Sequence, residues 1–216
     1  METFFKGVVS TVKNITTLWL ILLTCSPIAM AQDAFQGAPN SQTGDFIKLK
    51  DHLDDPNRGL CIDIPGHLSG VNIFAPLVVH TCKDGFWNYD ERFLPDLLAK
   101  SNKLAMPSFN RCVAAEKMEQ GARLKLAECL ANAPNQDWEM IAGQLRLKAR
   151  PKLCIEVDAQ PSEVSIGTRN HPVRHLVRPI YLGQCAEQEN KYQQWQFATP
   201  SDIPGIRYPD GRPGGW

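Results

Sequence analysis

The feature that most limits how this chain can fold is a unit written three times. The clearest copy runs from Cys112 to Trp138: an apolar run at the cysteine, a turn at Gly121, a second apolar run ending in Cys129, and a polar loop closed by Asn135-Gln136-Asp137-Trp138. The same order returns at 153–195 as LCIEV, a long polar loop, IYLGQC and YQQW. An eroded copy lies upstream, with LCIDI at 60–64, LVVHTC at 77–82, and Trp87, Tyr89 and Phe93. One such unit cannot bury its own apolar face, so three must pack around a shared core. Short alternating runs with Gly and Pro turn signals, and no sustained helical period, make the chain all-β.

The first thirty-one residues stand apart from that pattern. Lys6 and Lys13 precede a short apolar run at 15–24, and Ala29-Met30-Ala31 forms an A-x-A cleavage site. Together these predict a signal peptide cut after Ala31 and a secreted or periplasmic product. The apolar run is too short to span a bilayer, so no membrane span is expected in the mature chain. Cys25, preceded by Leu22-Leu23-Thr24, offers a lipidation alternative with which the A-x-A site competes.

Cleavage removes Cys25 and leaves Cys61, Cys82, Cys112, Cys129, Cys154 and Cys185. An even number in an exported chain reads as a disulfide set. Only the pairing Cys61–Cys82, Cys112–Cys129 and Cys154–Cys185 treats the three copies alike. No C-x-x-C pair exists, which argues against zinc. The chain carries 23 Lys and Arg against 23 Asp and Glu, so its charge gives no reason to expect nucleic acid as a partner.

After the signal segment, 32–44 is polar and turn-rich and reads as a flexible lead-in. The repeats occupy 45–198, and 199–216 is a Pro/Gly-rich tail expected to be extended or disordered. LPDLLAK at 94–100 can make a helical turn or more, bounded by Pro95 and Pro107. In LCIDI, strand alternation sets Asp63 on the face opposite Ile62 and Ile64. An inserted loop, 159–179, separates the two cysteines of the third copy and contains His171, Pro172 and His175.

These residues resemble the ricin B-type lectin family, a β-trefoil of three repeats. The motifs that carry the resemblance are the Cys-Ile/Val-acidic strand, a second cysteine after an apolar strand, and Gln-x-Trp, here Gln136-Asp137-Trp138 and Gln193-Gln194-Trp195. The resemblance covers about 45–198 and implies a trefoil with one disulfide per repeat. It also implies sugar binding: an Asp two residues after the first cysteine accepts bonds from sugar hydroxyls, an aromatic two residues before the second cysteine stacks on the ring, and polar residues at Gln-x-Trp add bonds. A carboxylate suits the first task because charge-assisted hydrogen bonds are stronger, and a flat ring suits the second.

Transferred residue by residue, no copy is complete. The first has Asp63, with His80 at the stacking position and Asp90-Glu91-Arg92-Phe93 in place of the Gln-x-Trp segment. The second has Ala114 and Ala127 where the carboxylate and ring belong, leaving Asn135 and Gln136. The third has Glu156, Gly183, Tyr192 and Gln193, and Tyr181 shares a strand face with Gly183. Trp138 and Trp195 are expected in the core between repeats. The expected sugar sites are therefore the first repeat (Asp63, His80, Asp90, Glu91) and then the third (Glu156, Tyr181, Tyr192, Gln193).

No catalytic motif of the G-x-S-x-G, phosphate-loop or H-E-x-x-H kind is present, and Pro172 disrupts a helical pairing of His171 with His175. The expectation is an exported, non-catalytic glycan-binding protein without cofactor or metal. The alternative is a protein–protein adaptor or delivery subunit of a secreted toxin or envelope complex, with degenerate sugar sites.

Overall fold

The computed structural model describes residues 43–66, 70–83, 88–170 and 172–205. The expected signal segment, most of the lead-in, Trp87, His171 and residues 206–216 lie outside the described residues. The chain divides into two units, Met1–Met30 and Ala31–Trp216, and every described residue belongs to the second.

Each repeat supplies four strands. The first has β1 (Asp45–Leu49), β2 (Leu60–Asp63), β3 (Val78–Thr81) and β4 (Arg92–Phe93). The second has β5 (Ala105–Met106), β6 (Arg111–Ala115), β7 (Leu124–Ala127) and β8 (Trp138–Ile141). The third has β9 (Gln144–Leu147), β10 (Arg150–Val157), β12 (Leu176–Gln184) and β13 (Trp195–Ala198), with a short extra strand β11 (Glu163–Val164) inside the insertion. A helix of about two turns, α1 (Pro95–Ser101), links the first two repeats; proline opens it and Asn102, in the left-handed region, closes it.

Pairing is antiparallel throughout, and in every repeat the second and third strands form a hairpin: β2–β3, β6–β7 and β10–β12. The last strand returns to the first, with Leu49 opposite Trp195 and Phe46 opposite Ala198. This is the expected β-trefoil. Each hairpin carries its own disulfide, Cys61–Cys82, Cys112–Cys129 and Cys154–Cys185, with Cα atoms 4.9, 5.0 and 5.0 Å apart. Each closes a short loop of the unfolded chain, a constraint that contributes about 2–4 kcal/mol.

The core takes one apolar contribution from every repeat. Ile47, Leu49 and Phe93 from the first, Leu104, Met106 and Trp138 from the second, and Leu145, Leu147 and Trp195 from the third are all removed from water. Both tryptophans are therefore core residues, as expected. A smaller cluster of Phe46, the Cys61–Cys82 pair, Ala198 and Ile203 lies beside it. Ile203, just past the expected end of the repeats at 198, is also buried. Pro200–Asp202 forms a single 3-10 turn, with the Thr199 N–H and hydroxyl both donating to the Asp202 carboxylate, and this turn returns Ile203 to the protein surface where it is buried. The polar composition of 199–202 reflects a capped turn, and one isoleucine after it suffices to anchor the segment.

The buried indoles need partners. Trp195 Nε1 donates to the Ile155 carbonyl and Trp138 Nε1 to the Val113 carbonyl, each at 3.0 Å. Trp195→Phe keeps most of the volume and leaves the Ile155 acceptor without this donor. The substitution is expected to cost about 1–3 kcal/mol of stability in chemical denaturation.

Candidate functional site

The Gln-x-Trp motif is a clasp on the disulfide-bonded hairpin. In the third repeat, Gln193 Oε1 accepts the Ala186 N–H at 2.8 Å and its Nε2 donates to the Gln184 carbonyl at 2.8 Å. In the second, Gln136 Oε1 accepts the Leu130 N–H at 3.0 Å and Nε2 donates to the Glu128 carbonyl at 2.8 Å. In both cases the amide holds the residues on either side of the second cysteine. The tryptophan two residues on holds the carbonyl that follows the first cysteine. One tripeptide thus fixes both arms of the hairpin.

The first repeat departs from this arrangement in a way that builds a site. Glu91 stands where the others have glutamine. Its Oε2 accepts the Lys83 N–H at 2.7 Å, reproducing half of the clasp. A carboxylate has no N–H for the other half. The Thr81 carbonyl is bonded instead to His80 Nδ1 at 3.0 Å. Lys83 follows Cys82 where the other repeats have Leu130 and Ala186, and its ammonium lies 2.8 Å from Asp63 Oδ2 and 2.7 Å from Asp90 Oδ2. Asp63 Oδ1 also accepts the Ile64 N–H at 2.7 Å. Asp63, His80, Lys83, Asp90 and Glu91 are all buried. All four residues expected in the first-repeat site are therefore brought together, around a lysine that sequence reasoning missed. The available signal was a charged residue at a position apolar in both other copies.

Burial sets the electrostatics. It disfavours charge on Lys83, but Asp63, Asp90 and Glu91 outweigh it and push the ammonium well above the ordinary lysine range. Burial raises Glu91 and Asp63, against the opposing pull of Lys83. Burial, aided by Lys83 and His175, holds the His80 imidazole well below its usual range, so it stays neutral. Carboxylate and imidazole atoms of Asp63, His80 and Glu91 lie within 4.8 Å of one another, a spacing compatible with metal ligands. Lys83 already supplies the cation there. The Lys83 ammonium bonds Asp63 and Asp90, whereas Glu91 is bonded by the Lys83 backbone N–H, so of the three carboxyls Glu91 gains least from ionising. A group raised on folding stabilises most below its unfolded value, about 4.3 for Glu, and that stability is lost as pH rises through the folded value. Glu91→Gln is expected to stabilise the protein by about 1–3 kcal/mol at neutral pH. It should also flatten the fall in stability above about pH 4.3. Thermal unfolding at a series of pH values checks both effects.

A cavity of about 470 Å³ opens over Asp63, His80 and Lys83, and its far wall is the insertion of the third repeat. β12 explains how the insertion gets there. It is nine residues long, against four for β3 and β7, and its first part pairs with β3, placing Val177 opposite His80 and Pro179 opposite Val78. β11 then pairs back on β12, and 166–168 makes a 3-10 turn. His175 packs edge-to-face on His80 with ring centroids 5.1 Å apart. Side-chain bonds pin the strap to the first repeat: the Thr81 hydroxyl accepts the Leu176 N–H at 2.8 Å, Asp54 accepts the Ser162 N–H and hydroxyl at 2.7 Å each, and Arg178 Nη2 lies 2.8 Å from Asp54.

Burial opposes the charge on Asp54, but the bonds from Ser162 and Arg178 prevail and hold its carboxyl down to about 2. A carboxyl depressed from its ordinary value of about 3.9 stabilises above that value, and the contribution is lost as pH falls through the folded one. Amide exchange in 160–170 and 172–178 is expected to accelerate as pH falls from about 4 toward about 2, after correction for intrinsic rates. Asp54→Asn should remove that step.

The third-repeat residues also meet, more openly. Glu156 lies opposite Tyr181 in the β10–β12 register, and both are half-buried. Glu156 Oε2 accepts from Gln193 Nε2 at 3.0 Å. A β-carbon on Gly183 would sit 1.6 Å from that oxygen, so the glycine at the stacking position is the space the glutamate occupies. Gln193 is buried in the clasp and positions Glu156. Tyr192 packs against the core beneath Lys191. In the second repeat, Asn135 donates to the Ala115 carbonyl and Gln136 is the clasp, leaving no acidic side chain at the expected position.

Comparison with known proteins bears on the family and the fold. Residues 51–175 match the family described as the ricin-type beta-trefoil lectin domain. No curated protein sequence matches. The solution structure of the mdaA-1 domain is similar at a TM-score of 0.51 and 15% identity, covering 72% of this chain and 88% of that one. The C-terminal domain of an earthworm lectin, a mutant bound to 6'-sialyllactose, is similar at 0.48 and 12%, covering 71% and 97%. The C-half of an earthworm R-type lectin bound to GalNAc is similar at 0.46 and 12%, with the same coverage.

Proposed function

The chain belongs to the ricin-type beta-trefoil lectin domain family, and from that premise we propose that it is an exported, non-catalytic carbohydrate-binding protein. Its working site is the first repeat, at Asp63 and His80, with Glu156 and Tyr181 of the third repeat as a lesser one. The observation that carries this reading is the cavity over Asp63, His80 and Lys83. Its volume falls within the range of small-ligand sites, roughly 300–1,000 Å³. A buried carboxylate held by an ammonium and a backbone N–H is a fixed acceptor that needs no reordering when a hydroxyl arrives. The lysine donates two of its protons to Asp63 and Asp90, which orients the third.

The disulfides support an oxidising location, extracellular or periplasmic. Among the described residues no helix is long and apolar enough to cross a membrane. One such site binds weakly; millimolar affinity is about −4 kcal/mol, and useful avidity comes from several sites on one surface.

Gly167 borders the cavity, and a β-carbon there meets nothing within 4 Å. Gly167→Trp is expected to fill the cavity with the fold intact and to reduce glycan binding at least about tenfold. A glycan array on the disulfide-bonded protein, wild type against variant, checks this. A second reading, an adaptor or delivery subunit, is favoured by Phe74, 86% exposed on the loop before β3. A folded protein that binds no glycan on the array would favour the adaptor.

A further inference from the structure

Resting on the lectin reading, we infer that the first-repeat cavity selects a sugar carrying a methyl group, as an N-acetyl or a 6-deoxy substituent, and that the third-repeat insertion supplies this selectivity. The site is composite: its floor comes from β2 and β3, and its opposite wall from a segment about a hundred residues later in the chain.

Polar groups come from the strap, with Glu163, Ser165, Thr168 and His175, and from the floor. Asp63 and Lys83 lie there, already bonded to each other, with His80 beside them. Val78 and Val177 line the cavity from the paired strands β3 and β12, and Val164 and Ile166 line it from the strap. The three valines are half-buried and Ile166 is 82% exposed, so their apolar surface faces open space. No Phe, Tyr or Trp is among the described residues lining the cavity. The walls thus present aliphatic surface between these polar side chains, and the imidazole at the stacking position is engaged edge-to-face by His175.

That distribution discriminates between sugars by their substituents. A hydroxyl pressed on a valine wall loses its water and gains no partner, which costs free energy. A methyl in the same place is removed from water at a gain of about fourfold in affinity per group. A ligand therefore fits best with hydroxyls toward Asp63 and Lys83 and a methyl toward the strap. An acetamido group and a deoxy sugar present that same methyl from different ring positions.

Calorimetric titration of the disulfide-bonded protein with N-acetylgalactosamine, N-acetylglucosamine, D-fucose (6-deoxy-D-galactose), D-galactose and D-glucose tests this. At least one methyl-bearing sugar should bind at least about fourfold tighter than its unsubstituted counterpart. Which arm responds, acetamido or deoxy, identifies the source of the methyl. Ile166→Ser, at an exposed position, combined with Val164→Ser, should bring that ratio toward one while binding persists; near-UV circular dichroism confirms the fold. Equal binding of all five sugars, or an unchanged ratio in the double variant, overturns the inference and leaves the lectin reading standing. Binding of none overturns both.

Discussion

The side-chain amide of the Gln-x-Trp motif is the interaction on which this structure depends. A glutamine offers an acceptor and a donor from one planar group, so it can hold an N–H and a carbonyl on either side of a half-cystine at once. The indole two residues later serves the other arm of the same hairpin from within the core. Burial of these polar atoms is tolerable because each is paired, and the pairing specifies where the hairpin sits relative to the core. The disulfide limits the unfolded chain, and the clasp determines the folded one.

Replacement of this amide by a carboxyl in the first repeat is what separates that repeat from its siblings. Once Glu91 can no longer donate, the Thr81 carbonyl takes its bond from His80, which fixes the imidazole beside the cavity. The added negative charge coexists with Asp63 and Asp90 because Lys83 lies among them. A buried cluster of this kind contributes little net stability, since desolvation offsets attraction. Its effect is positional: it holds a carboxylate, an ammonium and a neutral imidazole side by side on the floor of a cavity.

The fold was legible in the sequence because its determinants repeat. Cysteine spacing, the alternating runs around Cys61, Cys112 and Cys154, and two Gln-x-Trp motifs were enough for the trefoil, its disulfides and the buried tryptophans. The residues of the first-repeat site were legible by position, but their environment was not. Strand alternation sets Asp63 on the face opposite Ile62 and Ile64; what covers that face is Lys83 and a strap from another repeat, and no local pattern encodes either. The role of Gly183 was likewise hidden. Read in one dimension it is a missing ring, whereas in space it admits the Glu156 carboxylate. The burial of Ile203 was hidden in the same way, because a single apolar side chain after a capped turn leaves no periodic pattern.

The length of β12 has a consequence beyond the site it walls. By pairing with β10 on one side and β3 on the other, it joins the first and third hairpins into one continuous hydrogen-bonded sheet, while β5, β6 and β7 form a sheet of their own. The three repeats are equivalent as text and unequal as cooperative units. Opening the strap exposes ladder bonds in two repeats at once, whereas the middle hairpin is tied to them by separate backbone bonds, Gly121 and Ala122 to Leu182 and Leu124 to Leu77. One long strand thus turns three similar units into a linked pair of hairpins and a third that ladders separately.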